Sequence, residues 1–361
     1  MKKVLIVITT AFVEYGGLTT VVMNYLRFMD KKGLKIDVAS TNSAPQKLAD
    51  EIKVMGGRYY SLGKRKKIPA YCNNLKKLLK EQNYDVVHVH GNSATMSLEL
   101  AIAKACKIPV RIAHVHNSRS NYPTLNRILS PVFKGLYTDA IAVSKLSGDW
   151  LYGQNQYTIF NNAIDLNKYC FNASVREELK KTWKLTGKRV IGTVGKLNPQ
   201  KNQTFLLDIF SEIAKQTDDT VLMIVGGGAL EKELKEKAVL LGISERVIFT
   251  GMRNDANRLI QVFDYFVFPS IFEGLGMVLI ESQASGLPCF ASDQIPRETK
   301  LTSLISYTSL QESPKKWAEK ILQYDVTRDR QNISQQACES IRKKGYDISC
   351  ESGKLLQMYQ K

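Results

Sequence analysis

Glu273 and Glu281 stand seven residues apart around a Gly274-Leu275-Gly276 loop, and this spacing is where the chain's chemistry is most legible. The run from Asp264 to Pro269 before them is short, apolar and ended by proline, the signature of a buried strand. Met277 to Ser285 after them reads as a helix. Glu273 then lies in a loop and Glu281 about one turn into the helix, so a single extended ligand could be gripped at two places. The glycines let the backbone approach that ligand, and the first amides of the helix point at whatever the loop holds. For two isolated glutamates the plainer reading is a loop residue and a capping or paired residue.

Other residue types point to anions. Lys196 and Lys201 flank Pro199 in the loop that follows a strand at 189–194. Two such lysines suit a pyrophosphate clamp, and lone surface lysines are the alternative. Gly16-Gly17 precede a helical stretch from Val21 to Met29, where paired glycines cradle phosphate or simply make a turn. Gly226 and Gly251 each follow a short apolar strand, and neither opens a dinucleotide fingerprint. All four histidines fall in two clusters, His88 with His90 and His114 with His116. Strand alternation sends each pair to one face, from which a zinc site is conceivable. No cysteine or paired carboxylate nearby completes a ligand set, so no metal is expected, and His114 reads as a core residue. His116, at the carboxyl end of its strand, is the better functional candidate.

The chain that must position these residues alternates short apolar strands with amphipathic helices, the pattern of open parallel sheets covered on both faces. Its 361 residues exceed what one hydrophobic core serves, so two domains are expected. A charged helical stretch from Phe171 to Lys188 reads as the bridge, placing the domains at 1–170 and 171–345. Every candidate residue outside the helices follows a predicted strand and so lies at the carboxyl edge of one of two sheets. Faced together, those edges would enclose one cleft.

Composition narrows the classes. Hydrophobic residues at 44% and charged residues at 24% suit a globular protein, and no apolar run reaches the length of a membrane span. The apolar opening lacks a convincing cleavage site and reads as a first strand. Six scattered cysteines without a C-x-x-C pair suit a reducing cytoplasm and argue against structural zinc. The formal charge of +17 is concentrated early, with 26 Lys and Arg against 13 Asp and Glu in residues 1–180. Its densest part is Lys64-Arg65-Lys66-Lys67, followed by Lys76, Lys77 and Lys80. A solvated face is one reading; an anionic membrane surface, at roughly 1 kcal/mol per basic residue, is the functional one. No nucleic-acid-binding motif accompanies the charge, so nucleic acid is not an expected partner.

Taken in order, Gly16-Gly17, His116, Ile141 to Ser144, Asn161 to Asp165, Gly195-Lys196 with Lys201-Asn202, Gly226 with Gly228, Gly251, and Glu273 to Glu281 followed by Ala284-Ser285-Gly286-Leu287-Pro288 make a set that covers nearly the whole chain. It resembles the family-4 (group 1) retaining glycosyltransferases of the GT-B fold, similar to enzymes of bacterial capsular and exopolysaccharide biosynthesis. The resemblance implies an α/β fold of two Rossmann-like domains with parallel sheets facing across a cleft. The first would bind acceptor and the second a nucleotide sugar, UDP-sugar favoured, with a last helix at about 346–361 packing back onto the first. It implies His116, Lys201 and Glu273 as catalytic residues. Donor contacts would come from Gly16, Gly17, Lys196, Lys201, Gly226, Gly251, Gly274, Leu275, Gly276 and Glu281.

In that scheme the lysines neutralise the leaving diphosphate without a metal, Glu281 holds the ribose hydroxyls, Glu273 holds hydroxyls of the donor sugar, and His116 sits by the anomeric carbon. The acceptor would be a saccharide, lipid-linked at the inner face of the cytoplasmic membrane. The same architecture would also serve a non-catalytic sugar-nucleotide-binding subunit or a sugar-nucleotide 2-epimerase. Two departures stand out. Lys196 replaces a more usual arginine, keeping charge without the bidentate fork, and Pro296 to Tyr307 lacks the usual glycine-rich acidic pattern.

Overall fold

The structure, a computed structural model of the chain, describes every residue apart from 15, 118–119, 121 and 325–328. Two compact units divide it. The first is Met1–Ala163 with Gly345–Lys361, and the second is Ile164–Lys344.

In the first unit β1 (Lys2–Ile8), α1 (Gly17–Phe28), β2 (Leu34–Ser40), α2 (Gln46–Val54), β3 (Tyr59–Ser61), α3 (Ile68–Gln82), β4 (Val86–Gly91), α4 (Ser97–Ala105), β5 (Val110–Val115), α5 (Pro123–Phe133), β6 (Asp139–Ala142), α6 (Lys145–Tyr152) and β7 (Thr158–Ile159) alternate. The strands form one parallel sheet in the order β3-β2-β1-β4-β5-β6-β7. A parallel strand is covered on both faces, so it reads as a continuous apolar run, as Val4 to Ile8 does. Val4, Ile6 and Ile8 pack with Val22 and Leu26 of α1, while Leu5 and Val7 face Leu75 of α3 and Leu100 of α4. The order reverses between β1 and β4, which opens a crevice beyond the carboxyl ends of those strands.

The second unit repeats the plan with α7 (Leu166–Tyr169), α8 (Ala173–Thr182), β8 (Arg189–Val194), α9 (Gln203–Ala214), β9 (Thr220–Val225), α10 (Glu231–Leu240), β10 (Val247–Phe249), α11 (Ala256–Leu259), β11 (Tyr265–Phe268), α12 (Met277–Ala284), β12 (Cys289–Ser292), β13 (Ile305–Thr308), α13 (Pro314–Leu322) and α14 (Arg330–Lys343). Its parallel sheet runs β10-β9-β8-β11-β12-β13, reversing between β8 and β11. Ile191, Ile224 and Val267 pack under α9 and the wholly buried Trp317 of α13; Val190, Met223 and Phe266 pack with Leu279 of α12.

The last helix, α15 (Ile348–Gln360), belongs to the first unit. Leu355, Met358 and Tyr359 join the core of α1 and β1, and Asn161 Nδ2 donates to the Gly345 carbonyl at 3.0 Å. Two of the six scattered cysteines pair: Cys170, at the C-cap of α7, forms a disulfide with Cys338 of α14, across 168 residues of sequence. Spacing carries no sign of a pair so far apart.

Candidate active site

In the second unit the loops leaving β8 and β11 meet at the reversal of strand order. Four hydrogen bonds join them. Ile271 N donates to Gln200 O at 2.8 Å, Gln200 Nε2 to Phe272 O at 2.9 Å, Asn202 Nδ2 to Pro269 O at 3.2 Å, and Lys201 Nζ to Glu273 Oε1 at 2.6 Å. Lys201 is placed from below as well: its ammonium lies 4.6 Å from the centre of the Phe268 ring, a cation–π contact. The two charged side chains are only 17% and 9% exposed. The resemblance implies a diphosphate beside Lys201 and a sugar beside Glu273. In the structure each has the other as partner.

The glycine loops close around the same corner. Gly195 N donates to Val225 O at 2.9 Å and Gly226 N to Gly251 O at 3.0 Å, so the loops after β8, β9 and β10 abut. Gly226 has φ +139°, and a Cβ there would collide with the Gly195 carbonyl oxygen. Only glycine fits such an approach. Lys196 is exposed on this rim, with its carbonyl held by Gln203 Nε2 at 2.8 Å.

Gly276, at φ +79°, is the N-cap of α12, while Leu275 is buried beside it and open space surrounds the Cα of Gly274. The left-handed cap turns the loop so that the first amides of α12 aim back across it. Glu281, five residues into α12, retains some solvent-reached surface, yet burial pushes its carboxyl up to about 7. A hydrogen bond from the Tyr169 hydroxyl of α7 pulls the other way. Sequence reasoning missed Tyr169, which lies 112 positions away on a four-residue helix with no motif of its own.

In the first unit Gly16 is the N-cap of α1 and Gly17 its first residue, just beyond the end of β1. The histidines form one array. His90 is in register with His114 on the neighbouring strand, and the four rings pack together, stacked or tilted, at centroid distances of 4.1 to 5.2 Å. His90 Nδ1 lies 2.8 Å from His116 Nε2, and His88 Nε2 lies 3.1 Å from His114 Nδ1. His88 Nδ1 is 2.6 Å from the Tyr359 hydroxyl of α15. Burial holds His88 and His116 down at about 3, and His90 and His114 are lowered by the same cause, so the imidazoles are neutral at pH 7. A neutral His116 is a hydrogen-bonding group rather than a charge. Its tautomer is coupled to that of His90, which strand alternation had paired with His88.

The basic run needs a correction. Lys64, Lys66 and Lys67 are exposed, as are Lys76, Lys77 and Lys80, but Arg65 turns inward. Its guanidinium makes two bonds, at 2.7 and 3.0 Å, to Glu99, whose side chain is fully buried, and a third to Thr95 O at 2.6 Å. A buried carboxylate requires a partner, and Arg65 is it.

Two doubly wound parallel sheets with these loops at their carboxyl edges define the fold class, GT-B. Within it, two family descriptions match: Glycosyltransferase Family 4 over residues 15–168 and Glycosyl transferases group 1 over residues 188–324. EpsF of Bacillus subtilis (strain 168), assigned as a glycosyltransferase, is 31% identical over 362 residues, covering 95% of this chain and 93% of that one. The UDP-Gal:alpha-D-GlcNAc-diphosphoundecaprenol alpha-1,3-galactosyltransferase of Escherichia coli is 28% identical over 63% of this chain and 65% of its own. Among solved structures, HepE of Anabaena in complex with UDP superposes with a TM-score of 0.80 at 18% identity, covering 100% of both chains. The chain belongs to the group 1, family-4 glycosyltransferases.

Proposed function

We propose that this glycosyltransferase moves a sugar from a nucleoside diphosphate sugar, UDP being the favoured carrier, to a saccharide on a lipid carrier, with retention of anomeric configuration and without a bound metal. The observation that carries the reading is the Lys201–Glu273 pair at the strand reversal of the second unit, flanked by the amides that open α12. A leaving diphosphate develops negative charge, and a lysine with oriented amides stabilises it where it forms. Lys196, on the same rim, adds a second positive charge. Glu273, freed when Lys201 turns to phosphate, accepts from hydroxyls of the donor sugar, and Glu281 takes the ribose hydroxyls in place of the Tyr169 hydroxyl. We assign His116, from the first unit, to the transfer step as well.

The carrier and acceptor follow the relatives. HepE holds UDP and, in another crystal, UDP-glucose, and the Escherichia coli relative is named for a diphosphoundecaprenol acceptor. Membership of cell-surface polysaccharide synthesis is supported by a capsular glycosyltransferase of Staphylococcus aureus, CapH, 26% identical over 85% of this chain. A lipid-linked acceptor brings the first unit to a membrane, and its surface suits one. Leu125, Ile128 and Val132 stand 45%, 66% and 60% exposed on one face of α5. α5 and the basic turn share an anchor: Ala94 N donates to Asn126 Oδ1 of α5 at 2.8 Å, and Arg65 holds the next carbonyl, Thr95 O. An apolar helix face beside exposed lysines is the arrangement of an interfacial helix. Among the described residues no helix is long and apolar enough to cross a membrane.

Calorimetric titration with UDP, GDP and ADP tests the carrier, and NMR of the product formed from a UDP-sugar tests retention. Failure to bind any of the three nucleotides would overturn the donor site; inversion at the anomeric carbon would overturn the retaining mechanism.

A further inference from the structure

We propose that the histidine array of the first unit is a binding site for a transition-metal dication of the zinc type, ligated by His88, His90 and His114, none of which is assigned to the transfer step. One ring nitrogen from each of the three lies within 4.8 Å of the others, and all three side chains are buried. Among the described residues, two of their nitrogens, His90 Nε2 and His114 Nε2, find no hydrogen-bond partner although no water reaches them. A buried nitrogen without a partner is costly, and the unpartnered His90 Nε2 in the middle of such a cluster is what a missing electrophile would leave.

The remaining hydrogen bonds fix which nitrogens can face an ion. The Tyr359 oxygen, 2.6 Å from His88 Nδ1, can accept that ring's proton and leave the His88 Nε2 lone pair free. His116 Nε2, 2.8 Å from His90 Nδ1, can do the same for His90 and leave its Nε2 lone pair free. Two of the three ligand rings, His88 and His90, thereby have the second nitrogen oriented from outside, as metal-bound imidazoles usually have. His114 Nδ1 already stands 3.1 Å from His88 Nε2. Nitrogens bound to one tetrahedral zinc, at about 2.1 Å each, stand about 3.4 Å apart, so this pair is spaced for ligation and ring rotation must bring in only the third.

A neutral tris-imidazole set without thiolate or carboxylate suits zinc, copper or nickel rather than calcium or magnesium. It leaves one position of a tetrahedron to a small exogenous ligand. The ligands come from β4 and β5, and Tyr359 ties α15 to the same point, so an ion here would cross-link the sheet to the last helix. His116 stays outside the ligand set. With His90 Nε2 on the ion, its Nδ1 must carry the proton, so His116 Nε2 becomes an acceptor.

The chain holds four histidines and all are in this array, so imidazole ligation identifies the site without further mapping. The test uses the full-length protein without an affinity tag, stripped with chelator and dialysed against zinc or cobalt. Expected are one equivalent of bound metal, a cobalt spectrum with visible d–d bands and no thiolate charge-transfer band, and a raised melting temperature. His90→Gln and His114→Gln should abolish binding, with circular dichroism checking their folding. His116→Gln should retain it. Tyr359→Phe, which leaves the three ligands intact, should weaken it by about 10- to 100-fold. Metal content below about a tenth of an equivalent with the wild-type chain overturns the proposal. So does binding that survives in His114→Gln and is lost in Cys350→Ser, whose thiol is exposed.

Discussion

Replacing Glu273 by glutamine should tighten UDP binding while it slows transfer. In the structure Lys201 Nζ is held by Glu273 Oε1 at 2.6 Å, and the pair is largely shielded from solvent. A diphosphate must draw the ammonium away or share it. A hydrogen bond between charged groups is worth about 1.5 to 3 kcal/mol net, and residual exposure of both side chains puts this one toward the lower end. At about 1.4 kcal/mol per decade, release of Lys201 should lower the UDP dissociation constant roughly tenfold. Glutamine keeps the size and the acceptor oxygen and loses only the charge. Removing a carboxylate from any anion site would help somewhat, so the test is a double-mutant cycle by isothermal titration calorimetry. In a Lys201→Ala background, Glu273→Gln should change the affinity by much less. Equal or weaker UDP binding by the single variant, or the same gain with and without Lys201, would refute the exchange of partners.

Lys201→Ala itself should lower turnover by about 10²-fold, as loss of one electrostatic contact to a developing charge does, and a nearly unchanged kcat would sink the clamp. Because lysines supply the positive charge, transfer should continue in EDTA; loss of activity with rescue by Mn²⁺ would reverse that reading. The Glu281 carboxyl is raised to about 7, above its unfolded value of 4.5, so the folded state binds the extra proton. Its stabilising effect is therefore complete below about pH 4.5 and is lost as pH rises through 7. Glu281→Gln should melt like wild type at pH 5 and above it at pH 8, by up to about 3 kcal/mol before discount for the solvent-reached surface, and identical melts at pH 8 would refute it. Leu125→Ser with Ile128→Ser should weaken sedimentation with anionic vesicles more than Lys64→Gln with Lys66→Gln does at high salt, where charge is screened; wild-type protein that ignores such vesicles at low salt would refute the interfacial reading.

Much of the scaffold around the candidate residues was legible because local backbone demands leave local marks. Gly226 and Gly276 occupy conformations that other residues rarely adopt, and the short apolar runs before the loops mark strands buried on both faces. What was not legible is pairing across the fold. Tyr359 meets His88 across 271 residues, and neither periodicity nor spacing connects them. Arg65 looks like its lysine neighbours, and only the buried Glu99, 34 positions on, sets it apart. α5 carries apolar residues at helical spacing, which ordinarily signals burial; here Phe133 goes inward while Ile128 and Val132 stay out.

The second unit is an interruption of the first: the chain leaves at Ala163 and returns at Gly345. On a ribosome, then, the sheet of the first unit is made early, but the helix that covers Val4, Ile6 and Leu26 is made only after the 181 residues of the second unit, Ile164 to Lys344. At roughly 5 to 20 residues per second, that apolar face waits about ten seconds or longer for its cover. The second unit has no such delay, since all of its strands are contiguous in sequence. It should become protease-resistant on a nascent chain before the first unit does, reversing the usual order in which amino-terminal domains fold first. Release of a chain ending near Lys344 would leave a folded second unit attached to a first unit with an uncovered core, a form suited to chaperone capture rather than to catalysis.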